Sequence, residues 1–346
     1  MQQKTLFIQD LKQGQSVQEV FALVQARWAQ SKNGPYWDLR LQDCTGEVEA
    51  KIWPPQSREY QSLQTEQLVW VQGEVREFRE QLQLVLNQLQ VLDAEDSCLD
   101  WSQFIVSSAV PPEELLRELE GLCRENLKYP PWRRICRQIL QEPEIRSRLL
   151  ACPAAKSMHH AYRGGLLEHT LAVARHCLYL ADLYQELDRE ILLVAAVVHD
   201  LGKAWELHSG LNREYTDQGR LLGHILLGLQ KLEPFLQKAK DLQPELALHL
   251  KHLIASHHGE YVFGSPKLPM TSEALALHYA DNLDAKLYSV RQATAGIDSG
   301  ADSQWSVYQR SLERQFYLAP DTRDFQEEKS RPQKEKMQQC LLPLKE

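Results

Sequence analysis

The strongest constraint on the fold is a change of hydrophobic period part-way along the chain. Trp37, Leu39 and Leu41 alternate with Asp38, Arg40 and Gln42. After Asp43-Cys44-Thr45-Gly46, Val48, Ala50 and Ile52 alternate with Glu49, Lys51 and Trp53. Period two on both sides of a turn-forming tetrapeptide predicts a hairpin with one buried face. The stretch from Ser16 to Trp28, ending in a turn at Lys32-Asn33-Gly34-Pro35, predicts a strand before it. LVWVQGEVREF and QLQLVLNQLQV predict two more strands after it. Pro54-Pro55 stops the third strand, and a short helix is expected between there and Thr65. Five short strands within residues 1–93 predict a small closed barrel.

From Glu113 onward the period lengthens. Leu166, Thr170, Val173, Cys177, Leu180 and Tyr184 recur at three- and four-residue spacing, and ILLVAAVVHDLG predicts a nearly all-apolar central helix ending at Gly202. Residues 94–112, rich in small and polar side chains and ending in Pro111-Pro112, predict a linker. The residues 320–346 predict a solvated, charged tail. The expected architecture is therefore an all-β barrel over 1–93 followed by an all-α bundle over 113–319.

Composition narrows the function classes. Hydrophobic residues make up 43% of the 346 and charged residues 25%, which is ordinary for a globular chain. No apolar run reaches the ~18–20 residues that span a bilayer, and the N-terminal stretch carries no signal-like apolar core. A cytoplasmic location without membrane contact is expected. Seven cysteines, odd in number and without a CxxC pair, predict reduced thiols. The net charge of −8 gives no general attraction for nucleic acid, so any such site is local.

The histidines lie between Met158 and Tyr279, and seven residues form a spaced series: His169, His199-Asp200, His224, His257-His258 and Asp281. The gaps of about 30, 24, 33 and 23 residues each fit one helix and a loop, so each member comes from a different helix or helix end. Imidazoles with carboxylates suit Mn²⁺, Fe²⁺, Co²⁺ or Zn²⁺. Adjacent His199 and Asp200 cannot share a helix face, but at a helix terminus both can turn to one centre. Asp200 has two oxygens and can bridge two ions, and such a pair can activate water and clamp a phosphoryl group. His176, His208, His249, His252 and His278 lie off the series and read as ordinary surface or hydrogen-bonded core histidines. His159-His160 is placed to touch a substrate phosphate or to do nothing of the kind.

The order H…HD…H…HH…D resembles the HD-domain metal-dependent phosphohydrolases, in the variant with enough histidines for two metals. The words HHAYRGGLLEHT, VVHDLGK, GHI and ASHHGEYVFGSPKLPMTSEALALHYADNLDAK, behind a barrel that resembles an OB-fold, are similar to the YhaM-type 3′→5′ exoribonucleases over residues 1–300. The resemblance implies that His169, His199, Asp200 and Asp281 hold a first metal. Asp200 then bridges to a second metal on His224 and His257, with His258 the alternative or additional ligand. It also implies two divalent ions, Mn²⁺ foremost. Lys203, three residues after Asp200, suits a scissile phosphate, or else is a solvated helix-end lysine. Glu168 is expected to support His169 or to face solvent.

On the barrel, Tyr36 and Trp53 fall opposite the Trp37/Leu39/Ile52 face and are candidate stacking platforms, with Arg40 and Lys51 as phosphate contacts. Packing of Trp53 on the helical domain is an equal alternative. Nine basic against twelve acidic residues in 1–93 predict modest affinity. The expected partner is single-stranded RNA or DNA, and a homo-oligomer is left open. A phosphohydrolase of small or cyclic dinucleotides and a non-catalytic nucleic-acid-binding protein are the competing readings.

Overall fold

The computed structural model describes residues 4–32, 34–65, 67–78, 81–92, 103–104, 107–154, 162–208, 215–295, 297, 304–310 and 312–320. His159-His160, most of the expected linker and nearly all of the expected tail lie outside these residues. Chain contacts divide the molecule into two compact units, 1–286 and 287–346.

Five strands, β1 (Ser16–Ser31), β2 (Gly34–Asp43), β3 (Gly46–Ile52), β4 (Gln67–Phe78) and β5 (Gln81–Val91), close into a barrel in the order β1-β2-β3-β5-β4. The expected hairpin is present, with Trp37 opposite Ile52, Leu39 opposite Ala50 and Leu41 opposite Val48. These side chains are buried with Phe21, Val69, Val71 and Leu84, so the period-two face is the barrel core. The parallel β3–β5 pair and the antiparallel β1–β4 pair complete the closure. The helix expected after Pro54-Pro55 is a single 3-10 turn, Gln56–Glu59. Trp37 Nε1 donates to the Tyr60 carbonyl just beyond it, and Tyr60 Oη accepts from Leu89 N.

The helical part runs α1 (Pro112–Asn126), α2 (Pro130–Gln141), α3 (Pro143–Ala151), α4 (Gly165–Leu183), α5 (Arg189–Val198), α6 (Lys203–Glu206), α7 (Asp217–Lys238), α8 (Pro244–Ser256) and α9 (Ser272–Thr294). Many starts are written locally. Proline opens α1, α2, α3 and α8, where its missing N–H costs nothing. Asp188 caps α5 by accepting from Glu190 N and Ile191 N, and Thr216 caps α7 by accepting from Gly219 N. Ile191 to Val198 are all buried, which makes α5 the central helix. It ends at Val198 rather than at Gly202. His199 to Gly202 form turns, and that departure lets consecutive side chains share one centre.

The described cysteines form no disulfide among the described residues. No helix among the described residues is long and apolar enough to cross a membrane. Beyond Lys286, the antiparallel bridges Trp305–Tyr317 and Gln309–Arg314 order the described part of the second unit.

Candidate metal centre

The spaced series converges. His169 sits in the second turn of α4, His199 and Asp200 follow α5, His224 lies on α7, His257 caps α8 with His258 beside it, and Asp281 lies on α9. His169 Nε2 is 3.5 Å from Asp200 Oδ2 and 3.1 Å from Asp281 Oδ1. His199 Nε2 is 3.4 Å from the same Asp200 Oδ2 and 3.4 Å from His169 Nε2. Asp200 Oδ1 faces the other way, 3.5 Å from His224 Nε2 and 3.6 Å from His257 Nε2. His224 Nε2 lies 3.2 Å from His258 Nε2. Two clusters result, His169/His199/Asp200 and His224/His257/His258, with the Asp200 carboxylate between them.

Each imidazole is held through Nδ1. That nitrogen donates to Asp284 in His169 (2.7 Å), to the Ala196 carbonyl in His199 (2.8 Å), to Glu206 in His224 (3.1 Å), to the Ile254 carbonyl in His257 (2.7 Å) and to the Phe263 carbonyl in His258 (2.6 Å). An acceptor at Nδ1 fixes ring orientation and leaves the Nε2 lone pair facing inward, as metal-binding histidines require. Lone pairs facing each other at 3.2–3.4 Å repel unless a cation lies between them or a proton occupies one. Asp200 Oδ1 and His257 Nε2 are buried without a hydrogen-bond partner, which is uncommon for buried polar atoms. Divalent cations would satisfy both atoms, so the residues fit a metal centre.

Glycine and a backbone kink place His224. Gly223 has φ +70°, which turns α7 so that His224 N donates to Glu206 Oε1 at 2.9 Å. A Cβ on Gly202 would fall 1.9 Å from the His224 carbonyl oxygen, so only glycine lets the HD turn and α7 approach this closely. Lys203 Nζ donates to Asp200 Oδ2 at 2.6 Å, which gives the ammonium a partner.

The barrel residues are arranged differently from a bare basic patch. Tyr36 and Trp53, both half-buried, stack on each other at 4.5 Å and 26°. Lys51 is ion-paired with Asp38 and lies 3.7 Å from Glu49, and Arg40 lies 3.5 Å from Glu47. Trp28, exposed and edge-on to Trp37 at 5.0 Å, is a further aromatic that the sequence reading passed over.

Residues 166–286 match the family model of the HD domain, and residues 19–92 match that of the OB-fold nucleic acid binding domain. The chain is 34% identical over 290 residues to the 3′-5′ exoribonuclease YhaM of Bacillus velezensis, covering 83% of this chain and 90% of that protein. It is 33% identical, with the same coverage, to the YhaM of Bacillus subtilis, and 34% identical over 276 residues to that of Shouchella clausii.

The chain belongs to the YhaM family.

Two residues of this YhaM-family chain supply the site without appearing in the spaced series. Asp284 accepts the hydrogen bond from His169 Nδ1. It lies three residues after Asp281, on the same face of α9, so helical spacing was a signal for it. Glu206 carries His224, and no spacing announces it, because the contact forms only once α6 packs on α7. Off the series, His278 Nδ1 donates to the His257 carbonyl, His252 Nε2 accepts from Met270 N and His249 pairs with Thr271, as hydrogen-bonded histidines do. Glu168 accepts from Tyr162 Oη.

The charges of these side chains set how stability depends on pH. Burial works against the charged form of His169, but Asp200, Asp281 and Asp284 outweigh it and raise its pKa well above the usual imidazole range. Burial likewise opposes ionisation of Asp200, but Lys203, His199 and His169 hold it well below the usual carboxylate range. Burial and the neighbouring His257 and His224 lower His258 to about 4, so its lone pair is available at neutral pH. A raised histidine stabilises the fold below its unfolded value of ~6.5 and loses that contribution as pH rises through its folded pKa. A depressed aspartate stabilises above ~3.8 and loses its contribution as pH falls through its folded pKa. His257 and His258, lowered in the fold, act the other way and cost stability as pH falls below ~6.5. Chelator-treated protein is therefore expected to be most stable near pH ~6.5, with Tm declining on both sides. Ion binding at pH 7 should release the His169 proton, read as a buffer-dependent enthalpy in calorimetry. A flat Tm profile with no proton release would show that His169 is neutral in the metal-free protein.

Proposed function

We propose that this chain is a metal-dependent 3′→5′ exonuclease that hydrolyses single-stranded RNA, with single-stranded DNA as an alternative strand, to nucleoside 5′-monophosphates. The observation that carries the reading is the convergence of four Nε2 atoms on the two oxygens of one buried aspartate, with a fifth beside His224, in a chain that belongs to an exoribonuclease family. The cytoplasm is the setting. In this reading residues 1–93 are the strand-binding barrel, 94–112 the linker, 113–319 the hydrolase domain and 320–346 a charged tail.

His169, His199, Asp200 and Asp281 would hold one divalent cation and His224, His257 and His258 a second, with Asp200 shared. When bound, the ions supply Lewis acidity toward a phosphoryl oxygen and a water that is nucleophilic near neutral pH. Mn²⁺ is the ion we favour; Co²⁺, Fe²⁺ and Zn²⁺ suit the same donors. The chain's own side chains do the positioning. Asp284 and Glu206 keep His169 and His224 aimed inward through their Nδ1 atoms. Lys203, at the rim of the buried carboxylate, sets a compact positive charge where the scissile phosphate would carry developing negative charge. The Tyr36–Trp53 stack offers a ring face to a base, and Arg40 and Lys51, both partnered by carboxylates, would add little phosphate attraction.

The mechanism is tested on a linear single strand and its covalently closed circle, each with chelator and with added Mn²⁺. Degradation of the linear strand only, lost with chelator and restored by Mn²⁺, is expected. Cutting of the circle would replace the exonuclease reading with an endonucleolytic one.

A further inference from the structure

His258 is tied to a short turn of unusual character. Its Nδ1 donates to the carbonyl of Phe263, the last residue of the 3-10 turn Tyr261–Phe263. The three side chains of that turn are large and apolar, yet they are exposed to 62, 81 and 57% at Tyr261, Val262 and Phe263. Exposed apolar side chains on a mobile tip would need no explanation, but this turn is built to stay in place. Phe263 N donates to the Glu260 carbonyl at 3.1 Å, and Gly264 N donates to Tyr261 O at 3.0 Å. Gly264 closes the turn at φ +84°, a region that favours glycine. Ser265 is buried, and its hydroxyl lies 2.7 Å from Lys267 O and 3.2 Å from Ala255 O at the end of α8. Adjacent exposed aromatic and apolar groups on a hydrogen-bonded support mark a binding surface. Its position selects the occupant. A phosphate at the Nε2 cluster brings its own nucleoside to the neighbourhood of the His258 ring, and this turn is one hydrogen bond from that ring.

We infer that the Tyr261–Phe263 turn is the platform on which the 3′-terminal nucleobase of the strand rests while its phosphate lies at the histidine cluster. This rests on the exonuclease reading and extends it to how the terminal nucleotide is gripped. Ring faces stack on any base, so the platform would hold each new end in turn without selecting a sequence. Phe263 contributes its carbonyl to His258 through the backbone, so a side-chain change leaves that anchor in the chain.

The test uses full-length Tyr261→Ala, Phe263→Ala and Phe263→Trp, with Tyr179→Ala, an exposed tyrosine on α4, as control. Two strands are compared, one normal and one lacking only the base of its 3′-terminal nucleotide. Each alanine variant should lower the normal-to-abasic ratio of kcat/KM about five- to fifty-fold, through KM. Phe263→Trp should retain the ratio, and Tyr179→Ala should leave it at the wild-type value. Binding of the same strands to chelator-treated protein, read by fluorescence anisotropy, should show the same loss of discrimination. An unchanged ratio would overturn the proposal. So would an equal loss on both strands, the outcome expected if the turn only supports His258 or joins two copies of the chain. Wild-type protein that discriminates in the binding assay yet cleaves neither strand would overturn the exonuclease reading and leave the platform standing.

Discussion

Asp200→Asn and Asp200→Ala should each reduce strand hydrolysis by about 10³-fold or more. Asp200 is the residue whose two oxygens face both histidine clusters, Oδ2 toward His169 and His199 and Oδ1 toward His224 and His257. Removing its charge removes the shared donor, so bound metal should fall below two ions per chain. The two variants separate chemistry from folding. Alanine leaves Lys203 without its carboxylate, and breaking such a buried pair costs about 3–5 kcal/mol. Asparagine keeps the shape and one hydrogen-bond acceptor, so its melting temperature should stay nearer the wild type. Asp200→Asn protein that is folded, metal-analysed and still turns over at an appreciable fraction of the wild-type rate would defeat the assignment of Asp200.

Gly202→Ala should be the most disruptive single methyl in the site. The added Cβ would meet backbone on both sides, 1.9 Å from the His224 carbonyl oxygen and 2.5 Å from Gly228 N. A flexible side chain could swing away, whereas these atoms belong to α7, which must shift as a whole. The strain should cost about 1–3 kcal/mol or more. The shift also carries His224 away from Asp200 Oδ1, so the second ion should be lost before the first. Melting temperature and metal count measured together give the answer. Wild-type values for both would mean that the HD turn and α7 are not in the contact described.

Much of this site was legible before any coordinates, for a physical reason. Ligands drawn from separate helices must be spaced by about one helix and a loop, and chemistry confines them to imidazole and carboxylate, so His169 to Asp281 stood out. The hairpin register was equally readable. Its alternation alone presents Arg40 and Lys51 as free phosphate contacts; the register sets Lys51 opposite Asp38, and Arg40 finds Glu47 on the same strand pair. What the pattern misplaced is the end of α5. An apolar run gives no reason to stop before the first glycine, whereas convergence of His199 and Asp200 on one centre requires the helix to end at Val198. The short polar segment after Pro54-Pro55 became a single 3-10 turn, as four residues between a proline pair and the buried Trp37–Tyr60 contact leave no room for more. Glu206 was invisible because its partnership with His224 depends on a close helix approach that only glycine at 202 permits.

The central claim is that this centre removes one nucleotide at a time from a 3′ end. A single-stranded RNA of ~20 nucleotides carrying a 5′ label, and the same strand labelled at its 3′ end, are incubated with Mn²⁺ and sampled over time. The 5′-labelled strand should yield a ladder shortening by single nucleotides. The 3′ label should appear at once as a nucleoside 5′-monophosphate. A 5′ label released first, or products carrying 3′-monophosphates, would contradict the account.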